Sequence, residues 1–222
     1  MKVRTRAILG LCLALVIAGA SAEVAFLPRV VPKPSERLKD KSPKAMSPKE
    51  LEALLARVAK GLDPDLRHRL ADAVSTEAAR AGYDPLFVLA LVAVESRFRV
   101  NAASERGASG LMQLKPSTFA WISAREPDAG GDDFGSGDDP VVDVRLAVRY
   151  LRWLERRFHS RDEALMAYNA GPHRLQQYKR DGAIPDRLRE YPRRVMKEYR
   201  RFVRVSSGGR DPQSDVLLAR AN

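Results

Sequence analysis

A single cysteine in 222 residues, Cys12, and three histidines, His68, His159 and His173, leave little material for thiol or metal chemistry. Cys12 lies inside an N-terminal apolar stretch, after Leu11, where a lipid-attachment signal would place a small residue. Beyond that stretch no disulfide, thiolate site or cysteine metal site is possible. The histidines lie far apart without ligand spacing and read as ordinary polar side chains, so no metal is expected. Alternating apolar and polar runs bounded by turns are also missing, and so are internal repeats, which leaves a mainly α-helical domain. Acid is in deficit too: 28 Asp and Glu stand against 39 Lys and Arg, a net charge of +11. Such an imbalance points to a polyanionic partner.

Residues 1–22 combine a basic start, "MKVRTR", an apolar run from Ala7 to Ala20, and "ASA" closing on Ala22. They read as a secretory signal, with a mature chain beginning at Glu23 and residing in the periplasm. The alternative is an uncleaved inner-membrane anchor, because the run approaches the lower length limit for spanning. In either case the expected polyanions are cell-wall polymers and anionic lipid headgroups rather than nucleic acid.

Five prolines between Pro28 and Pro48, with a Lys/Arg excess, mark residues 23–46 as an extended linker. At the other end, residues 206–222 have no packing pattern beyond one Val-Leu-Leu and read as a loose tail. Between them, residues 47–205 are long enough for one domain with its own core. "SPKE" places Ser47 at an N-cap, Pro48 at the first helical position and Glu50 at the third, a capping box. Asp63-Pro64 and Asp84-Pro85 repeat the cap-then-proline start, and Gly82 suits the helix end between them. Leu66, Leu70, Ala73, Val74 and Ala81 share one helical face, as do Val144, Ala147, Tyr150, Leu151, Leu154 and Phe158. Asp132, Asp133, Asp138 and Asp139 in "GGDDFGSGDDP" do not follow a calcium-loop spacing and read as an acidic surface loop.

Residues 85–94 are apolar without interruption, a helix buried on all sides, and Glu95 falls in its last turn. Partial burial disfavours a charged carboxylate and raises its pKa, which suits a general acid near neutral pH. On the helix alone, a solvated glutamate paired with Arg97 or Arg99 explains the residue equally well. The loop that follows, "NAASERGASGLMQ", has Gly107 and Gly110 for tight turns and Ser104 and Gln113 as neutral partners for sugar hydroxyls and N-acetyl groups. A serine nucleophile at Ser109 is disfavoured, since "GASG" is not a nucleophile elbow and follows no strand.

Five ordered segments, "ESRF", "SERGASGLMQ", "DPVVDVRLAVRYLRWL", "AYNAGP" and "REYPRRV", resemble the motifs of the SLT-type lytic transglycosylases, over about residues 83–205. The resemblance implies a lysozyme-like α fold, of the goose-type lysozyme and SLT kind. It implies cleavage of the β-1,4 bond between N-acetylmuramic acid and N-acetylglucosamine in peptidoglycan, leaving a 1,6-anhydromuramic acid end. Carried onto this sequence, it makes Glu95 the sole catalytic acid/base, puts Ser104, Gln113, Tyr168 and Asn169 along the sugar groove, and brings Tyr191 near the glutamate. It implies no cofactor; the partner is the glycan strand, and the expected state is a monomer.

The departures are Asp143 where the family usually has Asn, Ala147 for Gly, Arg187-Leu188 for Glu-Thr, and Pro192 for Val. Pro192 predicts that Tyr191 lies just before a helix starting at the proline. Glu105, the one other acid within residues 90–113, sits beside Arg106 and reads as solvated. A hydrolytic lysozyme on the same fold, or a wall-binding protein without catalysis, are the rival functions.

Overall fold

The computed structural model describes residues 46–126 and 139–209. The signal at 1–22, nearly all of the linker at 23–46, the tail from 210 onward, and Asp132, Asp133 and Asp138 of the acidic loop lie outside the described residues. Among the described residues there are eight helices: α1 Pro48–Val58, α2 Pro64–Ala81, α3 Pro85–Glu95, α4 Pro116–Ser123, α5 Pro140–Phe158, α6 Arg161–Ala170, α7 Pro172–Arg180 and α8 Asp186–Ser206. Extended pairing is limited there to isolated bridges from Ser109 to Ala103 and to Leu114. The domain is mainly α, as its sequence predicts.

The first three helices start where their caps dictate. Ser47 Oγ accepts from the Glu50 N–H at 3.3 Å while Glu50 Oε2 accepts from the Ser47 N–H at 2.8 Å, so two otherwise unpaired donors are satisfied reciprocally. Asp63 and Asp84 cap α2 and α3 in the same sense, each before a proline. Gly82 ends α2 with φ 72°, a conformation that only a residue without Cβ takes cheaply. Asp139, last of the acidic run, caps α5 by accepting from the Val141 N–H at 2.9 Å.

Every residue of α3 from Leu86 to Ala93 is buried. The helix packs chiefly against α8, while α5 spans α2 and α6. Burying a Leu, Val or Phe side chain stabilises by roughly 1.5–3 kcal/mol, so this element anchors the core. α2 and α5 are further joined by a buried ion pair: Arg149 donates to both Glu77 oxygens, at 2.8 and 3.0 Å.

One expectation is overturned. Tyr191 does not precede a helix; it and Pro192 both lie inside α8. Pro192 has no N–H for the Leu188 carbonyl and disfavours helical angles at Tyr191. Leu188, Tyr191, Pro192 and Val195 are all buried, and that burial outweighs the local preference.

Candidate active site

Glu95 is the last residue of α3, so its side chain emerges where the buried helix reaches the edge of the core. The chain turns at once after it. Ser96 is buried, with Oγ donating to the Val92 carbonyl at 3.2 Å, and Arg97 and Phe98 take left-handed φ values of 54° and 61°. Such angles cost non-glycine residues on the order of 1–3 kcal/mol each, strain that tends to collect at functional sites. Phe98 is held by edge-on packing against Phe202, with ring centroids 6.3 Å apart.

From α8, the buried Tyr191 donates its hydroxyl to Glu95 Oε1. Burial pushes the Glu95 carboxyl up to about 7. The Tyr191 hydrogen bond and the Arg194 guanidinium pull the other way, and the Asp143 charge adds to the rise. A carboxyl with this pKa is divided between acid and carboxylate at neutral pH, so it can give a proton and later take one.

The loop after α3 is tied to itself and to α5. The Gly110 N–H donates to the Ala102 carbonyl at 2.9 Å. The Gln113 amide nitrogen donates to the Ala102 and Gly110 carbonyls at 2.9 and 3.0 Å, with Gln113 at φ 51°. Asp143 Oδ2 accepts from the Met112 N–H at 2.7 Å, and the Leu111 amide also hydrogen-bonds this carboxylate. Gly110 makes that approach possible: at φ 79°, a Cβ there would stand 2.6 Å from Asp143 Oδ2. The Met112 carbonyl in turn accepts from the Tyr168 hydroxyl at 2.9 Å, and the Tyr168 ring stacks on Tyr191 at 6.3 Å and 15°.

Glu95, Tyr191, Tyr168 and the Gly110–Gln113 backbone are thus one contiguous set drawn from α3, α8, α6 and the loop. Gln113 belongs to it through its amide nitrogen, which leaves Oε1 to face a ligand. Ser104 and Asn169 are exposed. Ser104 Oγ accepts from the Ala108 N–H at 3.0 Å and closes a tight turn, and Asn169 stands one residue before the end of α6. Glu105 is exposed, as expected of a solvated acid. A cavity of about 570 Å³ flanks the loop, lined among others by Ala102, Ser109, Gly110, Phe119 and Asp143; Glu95 is not in its wall.

Two residues of the set have no place in the sequence reading. Asp143, 5 % exposed, looks from sequence like a change in helix start and packing, yet it holds the Leu111–Met112 backbone. Its carboxyl is pushed up to about 6 by burial. Arg194 lies over the Tyr191 ring at 5.6 Å. Its presence in "REYPRRV" was the available signal.

A family model, the transglycosylase SLT domain, matches residues 72–187, more than half of the chain. The soluble lytic murein transglycosylase of Escherichia coli (strain K12) is 31 % identical over 90 residues, which cover 40 % of this chain and 14 % of that protein. Among solved structures, an inactive mutant of the lytic transglycosylase Slt from Pseudomonas aeruginosa superposes with TM-score 0.54 at 24 % identity, over 72 % of this chain and 30 % of that one. The 70 kDa soluble lytic transglycosylase of Escherichia coli gives 0.53 at 23 %, over 73 % and 29 %. The same score is found for a 70 kDa soluble lytic transglycosylase in complex with bulgecin A, at 23 % identity over 72 % and 28 %. The structural likeness shows the fold, and the chain corresponds to under a third of these longer proteins. The match of the family model over the helices that carry Glu95, the loop and Tyr168 places the chain in the transglycosylase SLT domain family.

Proposed function

We propose that the protein is a peptidoglycan lytic transglycosylase in which Glu95 is the only catalytic acid/base. The observation that carries this is a partly buried carboxyl, raised to about 7, that receives the Tyr191 hydroxyl. The second buried carboxylate, Asp143, already accepts backbone N–H groups, so it steadies the loop rather than delivering water.

In the first step protonated Glu95 gives its proton to the oxygen linking N-acetylmuramic acid to N-acetylglucosamine. The bond from that oxygen to the anomeric carbon breaks, and the muramic acid's own acetamido oxygen attacks the carbon from the opposite face. Glu95, now a carboxylate steadied by Tyr191, then takes the proton of the muramic acid 6-hydroxyl. That oxygen displaces the acetamido oxygen and closes the 1,6-anhydro ring. The proton returns to Glu95 and no water is consumed. Gln113 Oε1, Ser104, Asn169 and Tyr168 line the path of the N-acetyl sugars and orient them through neutral contacts.

The partner is the glycan strand, approached by a cationic monomer. Its location is the periplasm, reached by the signal at residues 1–22; among the described residues no helix is long and apolar enough to cross a membrane. N-terminal sequencing of the expressed protein is expected to find Glu23, and an intact Met1 on a membrane-bound product would replace the signal with an anchor.

Mass spectrometry of fragments released from isolated wall sacculi decides the chemistry. Ends lighter by one water than hydrolysed ends are expected. The ring-closing hydroxyl is held in place, and such intramolecular groups reach effective molarities on the order of 10⁵ M or more, far above bulk water. Mostly reducing ends would make the protein a hydrolytic lysozyme, and no release by a folded sample would leave a wall-binding protein.

A further inference from the structure

The chain has two tryptophans, Trp121 on α4 and Trp153 on α5, and they meet edge to face with ring centroids 4.8 Å apart. Both are half-buried. Beside them, bounded also by Ser117, Thr118, Tyr150 and Pro172, is an open cavity of about 330 Å³. A purely structural aromatic cluster would close such a space, since packed interiors hold few voids larger than a water molecule.

The position of the cavity links it to the acid. Trp153 lies parallel to Tyr150 at 6.0 Å and 10°, Tyr150 is 5.8 Å from Tyr168, and Tyr168 stacks on Tyr191, whose hydroxyl reaches Glu95. A continuous series of rings therefore runs from the cavity to the carboxyl. Pro172 opens α7 three residues after Asn169, so the cavity also adjoins the "AYNAGP" segment. The Arg125 guanidinium sits 4.1 Å from the Trp121 ring centre and that of Arg157 sits 5.4 Å from Trp153, which fixes the indoles and puts positive charge at the rim.

We propose that this cavity is a remote sugar subsite, in which a pyranose of the β-1,4 glycan strand stacks on the Trp121–Trp153 pair. A pyranose has an apolar face of C–H groups and a polar edge. The electron-rich indole faces suit the first, and the Ser117 and Thr118 hydroxyls suit the second. Mostly apolar walls with a few polar groups are what small-molecule sites use. The subsite deepens the transglycosylase reading and rests on it, because the glycan is that reading's substrate.

Both tryptophans line this one cavity, so intrinsic fluorescence reports its occupancy directly. Titrating the Glu95→Gln protein with tetra-N-acetylchitotetraose is expected to give a saturable change in tryptophan emission. Trp153→Ala, checked by circular dichroism for unchanged helix content, is expected to bind the oligomer about tenfold more weakly, as when one aromatic stacking platform is removed. In an otherwise wild-type background the same change is expected to raise KM on sacculi with kcat within about twofold. Trp153→Phe keeps a ring, retains most of the binding, and serves if the alanine variant does not fold.

Emission that ignores the oligomer while wild-type protein still releases fragments from sacculi overturns the subsite and leaves the transglycosylase reading standing. A saturable response by a protein that releases no fragments keeps the subsite as a glycan site and removes the catalytic reading. Loss of kcat with KM unchanged in Trp153→Ala also overturns the subsite, since a remote platform acts on binding.

Discussion

Glu95 determines how this protein should respond to pH, in activity and in stability. Its carboxyl titrates near 7 in the fold, so the protonated form needed for the first step is lost above that point. The expected profile of kcat/KM on sacculi falls about tenfold per pH unit on its alkaline side beyond pH ~7. In the unfolded chain the same group ionises near 4.5. A carboxyl raised on folding contributes stability that is fully present below the unfolded value and is lost as pH rises through the folded one. Glu95→Gln removes that dependence. Relative to wild type, its melting temperature should rise across the window from 4.5 to about 7, by up to roughly 3 kcal/mol of stability, while activity falls by roughly 10² to 10⁴. Thermal denaturation of both proteins at about pH 4 and pH 8 checks this; an equal difference at the two values would mean that the carboxyl is not desolvated. At this scale Glu95 was legible, because an acid closing an apolar helix is visible in a string of letters. Asp143 was not, because its partners are backbone amides about thirty residues away, and nothing local marks them.

Among the elements, the joint between the loop and α5 carries the most consequence. Gly107 and Gly110 look alike in sequence, and both have positive φ, 74° and 79°. They differ in surroundings: a Cβ at Gly107 meets nothing within 4 Å, whereas one at Gly110 lands 2.6 Å from Asp143 Oδ2. Gly107→Ala should therefore cost about 1–2 kcal/mol from backbone strain alone. Gly110→Ala should cost roughly 1–3 kcal/mol more, because it also displaces the carboxylate that holds Met112. Since Met112 supports Tyr168, activity on sacculi should fall further in Gly110→Ala than in Gly107→Ala. Equal melting temperatures and equal activities in the two variants would refute this joint. The starts of α1, α2 and α3 were readable because each cap sits one residue from a proline and bonds within three residues. The start of α8 was misread because Pro192 is a strong local signal for a helix start, and what overrides it is packing with elements distant in sequence.

On the scale of the whole molecule, the net charge of +11 should govern encounter with the wall. Peptidoglycan presents anionic peptide stems, and exposed charges are screened beyond about 10 Å at 0.1 M salt. Co-sedimentation of the Glu95→Gln protein with sacculi is expected to weaken steadily as salt rises. Binding that is the same at low and high salt would show that the cationic surface plays no part. Pairing consumes little of this charge inside the fold. Arg149 is the buried exception, shared between Glu77 and Glu126, and it ties helices together rather than facing a ligand.

The sequence by itself determined the helical class, the caps, the buried α3 with its terminal acid, and the family, because each of these is written in neighbouring residues or in an ordered series of motifs. Only the tertiary structure decided which side chains surround that acid. Tyr191 comes from 96 residues away, Asp143 reaches the loop from α5, and two tryptophans on different helices meet beside one cavity. The raised pKa of Glu95 is likewise a property of the assembled core, since desolvation depends on every element that excludes water from the carboxyl.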